Sequence, residues 1–387
     1  MKIAAFADAH IGCYGSKLTA GGHNARLLDT MNAVGNAVSE AMSHNISHIL
    51  FAGDLFRTAK PSPTEIMAAR QAFQLADEQR TYVLMIPGNH DLPRSAAESS
   101  PLELVQTDNV ALYDKPNVIY SEDEGWQLAT LPYPNRARMA AVIPDYAAMS
   151  PEDADNAVSA HLETVIAAMA ANLRVGLTSI LMAHISIDVA EPGAERGIMA
   201  GRDITIPLSA IPEAFDFVAL GHIHYAQDFA RYGRPNVFYC GSTSRLDFGE
   251  EGQEKSFVVI DTEAKTWERV PIQCREFQTV PWIHEDGEMR CDHDLQGLSG
   301  AICRAKIFRP ESVKPDYDAI RKQILDAGAH EFTGFVEDVT RVQQARSEEI
   351  AQAVSLSDLL TAWSETSNCE VALDELVAAA QRLEAGA

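Results

Sequence analysis

Five short polar signatures each close an apolar run: Asp8-Ala9-His10, Gly53-Asp54, Gly88-Asn89-His90-Asp91, Ala183-His184 and Gly221-His222-Ile223-His224. Asp8 and Asp54 bring carboxylates, Asn89 an amide oxygen, and His10, His90, His184, His222 and His224 imidazoles. Mixed oxygen and nitrogen donors of this kind suit manganese, iron or zinc better than calcium or magnesium. The chemistry they imply is two-metal hydrolysis of a phosphoester. Taken singly the signatures are weak, since Asp-x-His is commonly surface chemistry and Gly-Asn-His-Asp is a plausible turn. Five in this order, each ending its own apolar run, call for a shared site.

The elements that must position them are short strands. Upstream of the signatures run Ile3-Ala4-Ala5-Phe6-Ala7, Ile49-Leu50-Phe51-Ala52, Val83-Leu84-Met85-Ile86, Ile180-Leu181-Met182-Ala183 and Phe217-Val218-Ala219-Leu220. Uninterrupted apolar runs fit strands buried on both faces, and polar groups at their carboxyl ends sit where open α/β sheets bind ligands. Strand periodicity directs Asp8 and His10 to one side, and His222 and His224 likewise. Gly53, Gly88 and Gly221 precede the donors where a tight turn or close approach favours a missing side chain.

Helical stripes alternate with these strands. Residues 24–44 place Leu27, Leu28, Met31, Val34, Val38 and Met42 at three- and four-residue intervals. Residues 63–79 repeat the pattern, Ser100-Pro101-Leu102-Glu103 reads as a capping box, and residues 151–173 form another helix begun by Pro151. Strands follow at 236–239, 256–260 and 266–272. The order predicts an α/β fold, a layered α/β/β/α sandwich with a small α/β capping domain and a C-terminal helical tail. The expected boundaries are 1–272 for the sandwich, 273–339 for the cap, 340–354 for a linker and 355–387 for a helix-loop-helix tail. Strands at 301–308 and 332–339 flank a helix at 317–325 in the cap. Leu359, Leu360 and Trp363 form one apolar cluster of the tail. Leu373, Leu376, Ala380 and Leu383 form another behind a Ser367–Glu370 capping pattern.

The order of the signatures resembles the calcineurin-like metallophosphoesterase superfamily. Gly53-Asp54-Leu55-Phe56, Gly88-Asn89-His90-Asp91, Leu131-Pro132-Tyr133-Pro134 and the string from Tyr239 to Glu250 resemble the SbcD-type nuclease subunit of bacterial or phage SbcC-SbcD complexes. The resemblance runs from Met1 to about Ile272 and is architectural beyond. It implies one metal held by Asp8, His10, Asp54 and His224 and a second held by Asp54, Asn89, His184 and His222, with Asp54 bridging. A shared carboxylate lowers the repulsion between two ions about 3.5 to 4 Å apart. The resemblance further implies two divalent ions, manganese foremost, a metal-activated hydroxide attacking the phosphodiester, and His90 assisting the leaving group. Three residues after the bridging aspartate, relatives commonly carry a histidine or aspartate that can orient the catalytic histidine. Here Arg57 stands there, and its guanidinium has no acceptor lone pair. It is instead suited to clamp phosphate, and Arg57, Arg94 and Arg245 are the substrate-binding expectations, with Lys60, Arg136, Arg138 and Arg202 as further phosphate contacts.

The function implied is a metal-dependent exonuclease and endonuclease subunit in DNA end processing, repair or recombination. Its partners would be DNA, an SbcC-like ATPase docking its coiled coil on the tail, and a second copy meeting at residues 63–79 and 99–107. The alternatives are a stand-alone phosphodiesterase for a small nucleotide or lipid headgroup and a DNA-tethering subunit, though the complete ligand set argues against the latter. Lys plus Arg number 31 against 55 Asp plus Glu, a net charge of −24. Bulk charge of that sign repels nucleic acid, so a partner is expected to supply much of the DNA grip. No apolar run reaches membrane-spanning length, and Met1-Lys2-Ile3 enters a strand directly, which argues against a signal peptide. Six cysteines without a Cys-x-x-Cys pair fit free, mostly buried thiols in a reducing cytoplasm.

Overall fold

The computed structural model of the chain describes residues 1–16, 18–95, 97–193, 204–340, 355–366 and 371–385. A first compact unit comprises Met1–Thr279, Asp294–Arg304 and Lys322–Thr333. It is built on two six-stranded sheets. The first runs in the order Thr266–Pro271, Ser256–Asp261, Lys2–Phe6, Ile46–Phe51, Tyr82–Met85, Val110–Leu112. The second runs Gln227–Phe229, Arg234–Tyr239, Phe217–Gly221, Thr178–His184, Trp126–Leu131, Asn117–Ser121. Neighbours from Lys2–Phe6 to Val110–Leu112, and from Arg234–Tyr239 to Trp126–Leu131, are parallel.

Packing explains the uninterrupted apolar runs. Ile3, Ala5 and Ala7 join Leu128, Ile180, Met182 and Phe217 in a core between the sheets. The alternate residues Ala4 and Phe6 pack outward with Leu27, Val34 and Val38 of the Ala25–Ser43 helix. Leu181, Val218 and Leu220 do the same on the other side against Val158, Leu162 and Ile166 of the Pro151–Ala171 helix. Both faces of both sheets are therefore dry, and the order is helix, sheet, sheet, helix, as expected for the α/β/β/α sandwich.

Helix starts follow capping chemistry. The Asn24 side chain accepts from Leu27 N, and Ser150 from Asp153 N ahead of Pro151. The helix expected over residues 63–79 is divided: Pro63–Ala72 and Gln74–Glu78 meet at Phe73, whose φ of −98° and ψ of 2° break the turn. Its start carries a full capping box between Ser62 and Glu65, absent from the sequence-based expectations. The capping box expected at Ser100–Glu103 is corrected to a single 3₁₀ turn, Pro101–Leu104. There Ser100 accepts from Leu102 N and Glu103 N bonds to the Ser100 carbonyl.

A four-stranded sheet in the order Glu288–Cys291, Phe277–Glu285, Ile302–Pro310, Glu331–Thr340, with the Tyr317–Asp326 helix, forms the small α/β region. The second compact unit comprises Val280–His293, Ala305–Arg321 and Gly334–Ala387, a division that falls later than residue 273 and is discontinuous. It includes the helices Leu356–Thr366 and Leu373–Ala385, which contact each other. Ser355 and Asp358 cap the first reciprocally. The Ser367–Glu370 pattern, the linker from residue 341, Arg202 and the Leu383 side chain lie outside the described residues. Among the described residues, no helix is long and apolar enough to cross a membrane. The described thiols are free; Cys240 and Cys303 are buried, whereas Cys13 is exposed.

Candidate metal centre

The donors follow strand ends, but strand alternation does not aim them. The first strand stops at Phe6, and Asp8 and His10 both adopt left-handed backbone, with φ of 53° and 46°. Asp54 and His222 do likewise, with φ of 56° and 99°. Non-glycine residues in this region are uncommon and cost about 1–3 kcal/mol each, and they concentrate at functional sites. The pairing of His222 with His224 by periodicity is therefore corrected: the chain leaves the sheet at Gly221 and the two imidazoles diverge. His222 Nδ1 lies 2.9 Å from Asn89 Oδ1, while His224 Nε2 lies 2.9 Å from His10 Nε2.

Donors converge around Asp54. Asp8, His10 and His224 offer ligand atoms within 4.8 Å of one another, as do Asp8, Asp54 and His184, and His10, Asp54 and the exposed His90. Asp54 Oδ2 stands 3.7 Å from His10 Nε2 and 3.5 Å from His184 Nε2. His184 Nε2 is also 3.1 Å from Asn89 Oδ1. The other His184 nitrogen, Nδ1, donates to the Ala52 carbonyl at 2.7 Å, so Nε2 faces two oxygens with its lone pair unless a cation or a proton intervenes. Burial opposes charge on His184, yet Asp54 outweighs it and pushes the imidazole up to about 9. Burial likewise opposes charge on Asp54, but His184 and His10 hold it well below the usual carboxylate range. Burial pushes Asp8 up to about 6 and His10 well down. Buried, unevenly charged donors converging in this way fit a pair of divalent cations.

Space for the carboxylate is made by glycine. A Cβ at Gly88 would lie 2.1 Å from Asp54 Oδ1, and one at Gly53 2.3 Å from His184 Nδ1. Two residues that lie within the sequence motifs, without a role assigned from them, hold the donors in place. Asp91 is fully buried and accepts from the Leu55, Phe56 and Gly88 amides at 3.2, 2.9 and 3.1 Å, tying two ligand loops together. Burial and the Asp54 charge push it up to about 7. Glu250 accepts from His224 Nδ1 at 2.9 Å. Its place at the end of the Tyr239–Glu250 string was the available signal.

His90 stands beside the centre. Its amide donates to Asp54 Oδ1 at 2.7 Å, its ring contacts the His10 ring edge-on at 4.7 Å between centroids, and it is exposed. Its Nδ1 lies 2.8 Å from the Arg57 carbonyl, an acceptor, so Nδ1 carries the proton that it donates there. The orienting partner missing from the Arg57 side chain is thus supplied by the Arg57 main chain. The exposed guanidinium of Arg57 lies over the Tyr14 ring at 4.8 Å. Arg94 is exposed. Arg245 is buried, and its guanidinium lies 3.0 Å from the exposed Glu276 carboxylate. Lys60, Arg136 and Arg138 pair with Glu98, Asp155 and Asp114.

A sandwich carrying this cluster at its strand ends defines a class. Residues 1–226 match the calcineurin-like phosphoesterase family, and the chain belongs to it as a metal-dependent phosphoester hydrolase. Among curated relatives, the SbcD component of the SbcCD nuclease of Bacillus subtilis is 26% identical over 342 residues, covering 83% of this chain and 85% of the relative. The DNA double-strand break repair protein Mre11 of Methanocaldococcus jannaschii is 25% identical over 289 residues, covering 72% and 69%. The crystal structure of TT1561 of Thermus thermophilus matches loosely, with a TM-score of 0.36 and 13% identity over 70% of this chain and 98% of that one.

Proposed function

We propose that the chain is a DNA nuclease subunit that trims ends and opens hairpins in repair or recombination, working with an SbcC-like ATPase. The observation that carries this reading is the convergence of donors around Asp54, in a chain whose relatives of comparable length are a nuclease subunit and a break-repair protein. Asp8, His10, Asp54 and His224 would hold one ion and Asp54, Asn89, His184 and His222 the other, with manganese the ion of choice for this donor set. When bound, the ions neutralise phosphate charge and make hydroxide available near neutral pH. His90, turned by the bond from its Nδ1–H to the Arg57 carbonyl, would in its doubly protonated form hand the Nε2 proton to the departing sugar oxygen and be left as the neutral ring. Arg57 and Arg94, both exposed, contact flanking phosphates.

The tail gives the ATPase its purchase. Leu359 is 42% exposed on the Leu356–Thr366 helix, and the hairpin presents apolar groups that a partner coiled coil would cover. A second copy would meet at residues 63–79 and 99–107, where Met67 and Leu104 are 65% and 58% exposed. The reading places the protein in the cytoplasm, where such substrates lie.

The test compares full-length protein with a version lacking residues 355–387, using manganese, a small chromogenic phosphodiester and linear duplex DNA, with and without the ATPase and ATP. Each buried leucine or tryptophan of the tail is worth about 1.5–3 kcal/mol of association. Truncation is expected to spare the small diester and abolish ATP-dependent duplex cleavage. Hydrolysis of the small diester with no cleavage of DNA under any condition would instead favour a stand-alone phosphodiesterase.

A further inference from the structure

Behind His224 lies a buried polar chain that neither ion would touch. Glu250 uses its two oxygens separately. Oε1 accepts from His224 Nδ1 at 2.9 Å, while Oε2 lies 2.6 Å from Lys255 Nζ and accepts from Ser242 Oγ at 3.1 Å and Leu246 N at 3.3 Å. The side chains of Lys255 and Glu250 are 2% and 1% exposed. Lys255 also donates to Ser242 Oγ at 2.8 Å and to Gln253 Oε1 at 3.0 Å, and Ser242 bridges to Ala7, the residue before Asp8. A buried ion pair is weak evidence for stability, because desolvation consumes most of its attraction, so its position invites a functional account.

We propose that Glu250 and Lys255 form a positioning pair that presents His224 to the metal. Oε1 keeps the proton on Nδ1 and so leaves the Nε2 lone pair directed at the position it shares with His10, 2.9 Å away. Lys255, 2.6 Å from Oε2, pins the Glu250 carboxylate in the rotamer that reaches the ring. The proposal rests on His224 being a metal ligand, as in the proposed function.

The experiment is manganese titration of metal-free, full-length protein by calorimetry, with thermal unfolding of the same samples. Glu250→Leu/Lys255→Met removes both charges together and leaves no unpaired buried ion. It should fold and bind one of two ions about 10- to 100-fold more weakly, with the other unchanged. Glu250→Gln/Lys255→Met should recover most of that loss, because the glutamine oxygen, no longer claimed by Lys255, can accept from Nδ1. Equal affinities for the two double variants, or wild-type affinity in the leucine variant, would overturn the pair's positioning role. His224→Ala separates the two readings. If that variant retains both ions at wild-type affinity, the ligand assignment itself fails and takes the proposal with it. If it loses one ion while the double variants bind normally, only the positioning pair fails.

Discussion

Gly88→Ala tests whether Asp54 is the hinge of the centre. Added to the backbone as it stands, a Cβ at residue 88 would lie 2.1 Å from Asp54 Oδ1, 2.6 Å from its Cγ and 2.6 Å from its backbone nitrogen. Ordinary contact begins near 3.4 Å. The carboxylate or its loop must therefore retreat by roughly 1 Å, whereas metal–ligand distances tolerate only about 0.2 Å. The same oxygen accepts the His90 amide at 2.7 Å, and Asp91 ties Gly88 to Leu55 and Phe56, so the strain cannot be absorbed by one flexible side chain. Overpacking of this kind costs about 1–3 kcal/mol of stability. The expected result is a folded protein with a lowered melting temperature, containing fewer than two ions by elemental analysis and lacking phosphodiesterase activity. Gly35→Ala is the control: it lies in the Ala25–Ser43 helix with nothing within 4 Å of the new Cβ, and should gain about 0.5–1 kcal/mol. Two ions bound at wild-type affinity by Gly88→Ala would refute the reasoning.

Other expectations concern single groups. His90→Ala should keep two ions per chain while cleaving about 10²- to 10⁴-fold more slowly, and loss of the ions would move His90 into the ligand set. Arg57→Ala preserves the carbonyl that orients His90, so small-diester cleavage should persist while DNA cleavage weakens more at low salt than at high, because one phosphate contact fewer makes the salt dependence shallower; an unchanged salt dependence removes Arg57 from the phosphate contacts. Asp91→Ala leaves three buried amides without their acceptor and should lower stability by at least about 2 kcal/mol in urea denaturation, an effect absent if water replaces the carboxylate. Sedimentation at micromolar concentration should give a dimer, and Met67→Glu a monomer; a monomeric wild type discards the interface.

The cluster of candidate donors was legible because metal binding restricts the residue types that can serve, and the strands were legible because burial on both faces leaves only apolar residues. The path of the chain after each strand was not. Asp8 and His10 look like alternating strand positions, yet both are left-handed, since tertiary bonds from Asp8 N to the Gly53 carbonyl and from His10 N to the Asp54 carbonyl override local preference. The partner of His90 was invisible because a main-chain carbonyl carries no side-chain signature. The burial of Arg245 was not legible, because an arginine's letter does not tell a buried guanidinium from an exposed one. Lys255 had no signal at all: its meaning comes from Glu250, and that of Glu250 from His224. The break at Phe73 fell inside an apolar stripe that fits one helix or two equally well.

The central claim is a dinuclear centre bridged by Asp54, and anomalous diffraction from crystals grown with manganese tests it most directly. Two anomalous peaks about 3.5 to 4 Å apart are predicted, one among Asp8, His10 and His224, the other among Asn89, His184 and His222, with Asp54 between them. A single peak, or peaks with no contact to Asp54, would contradict it.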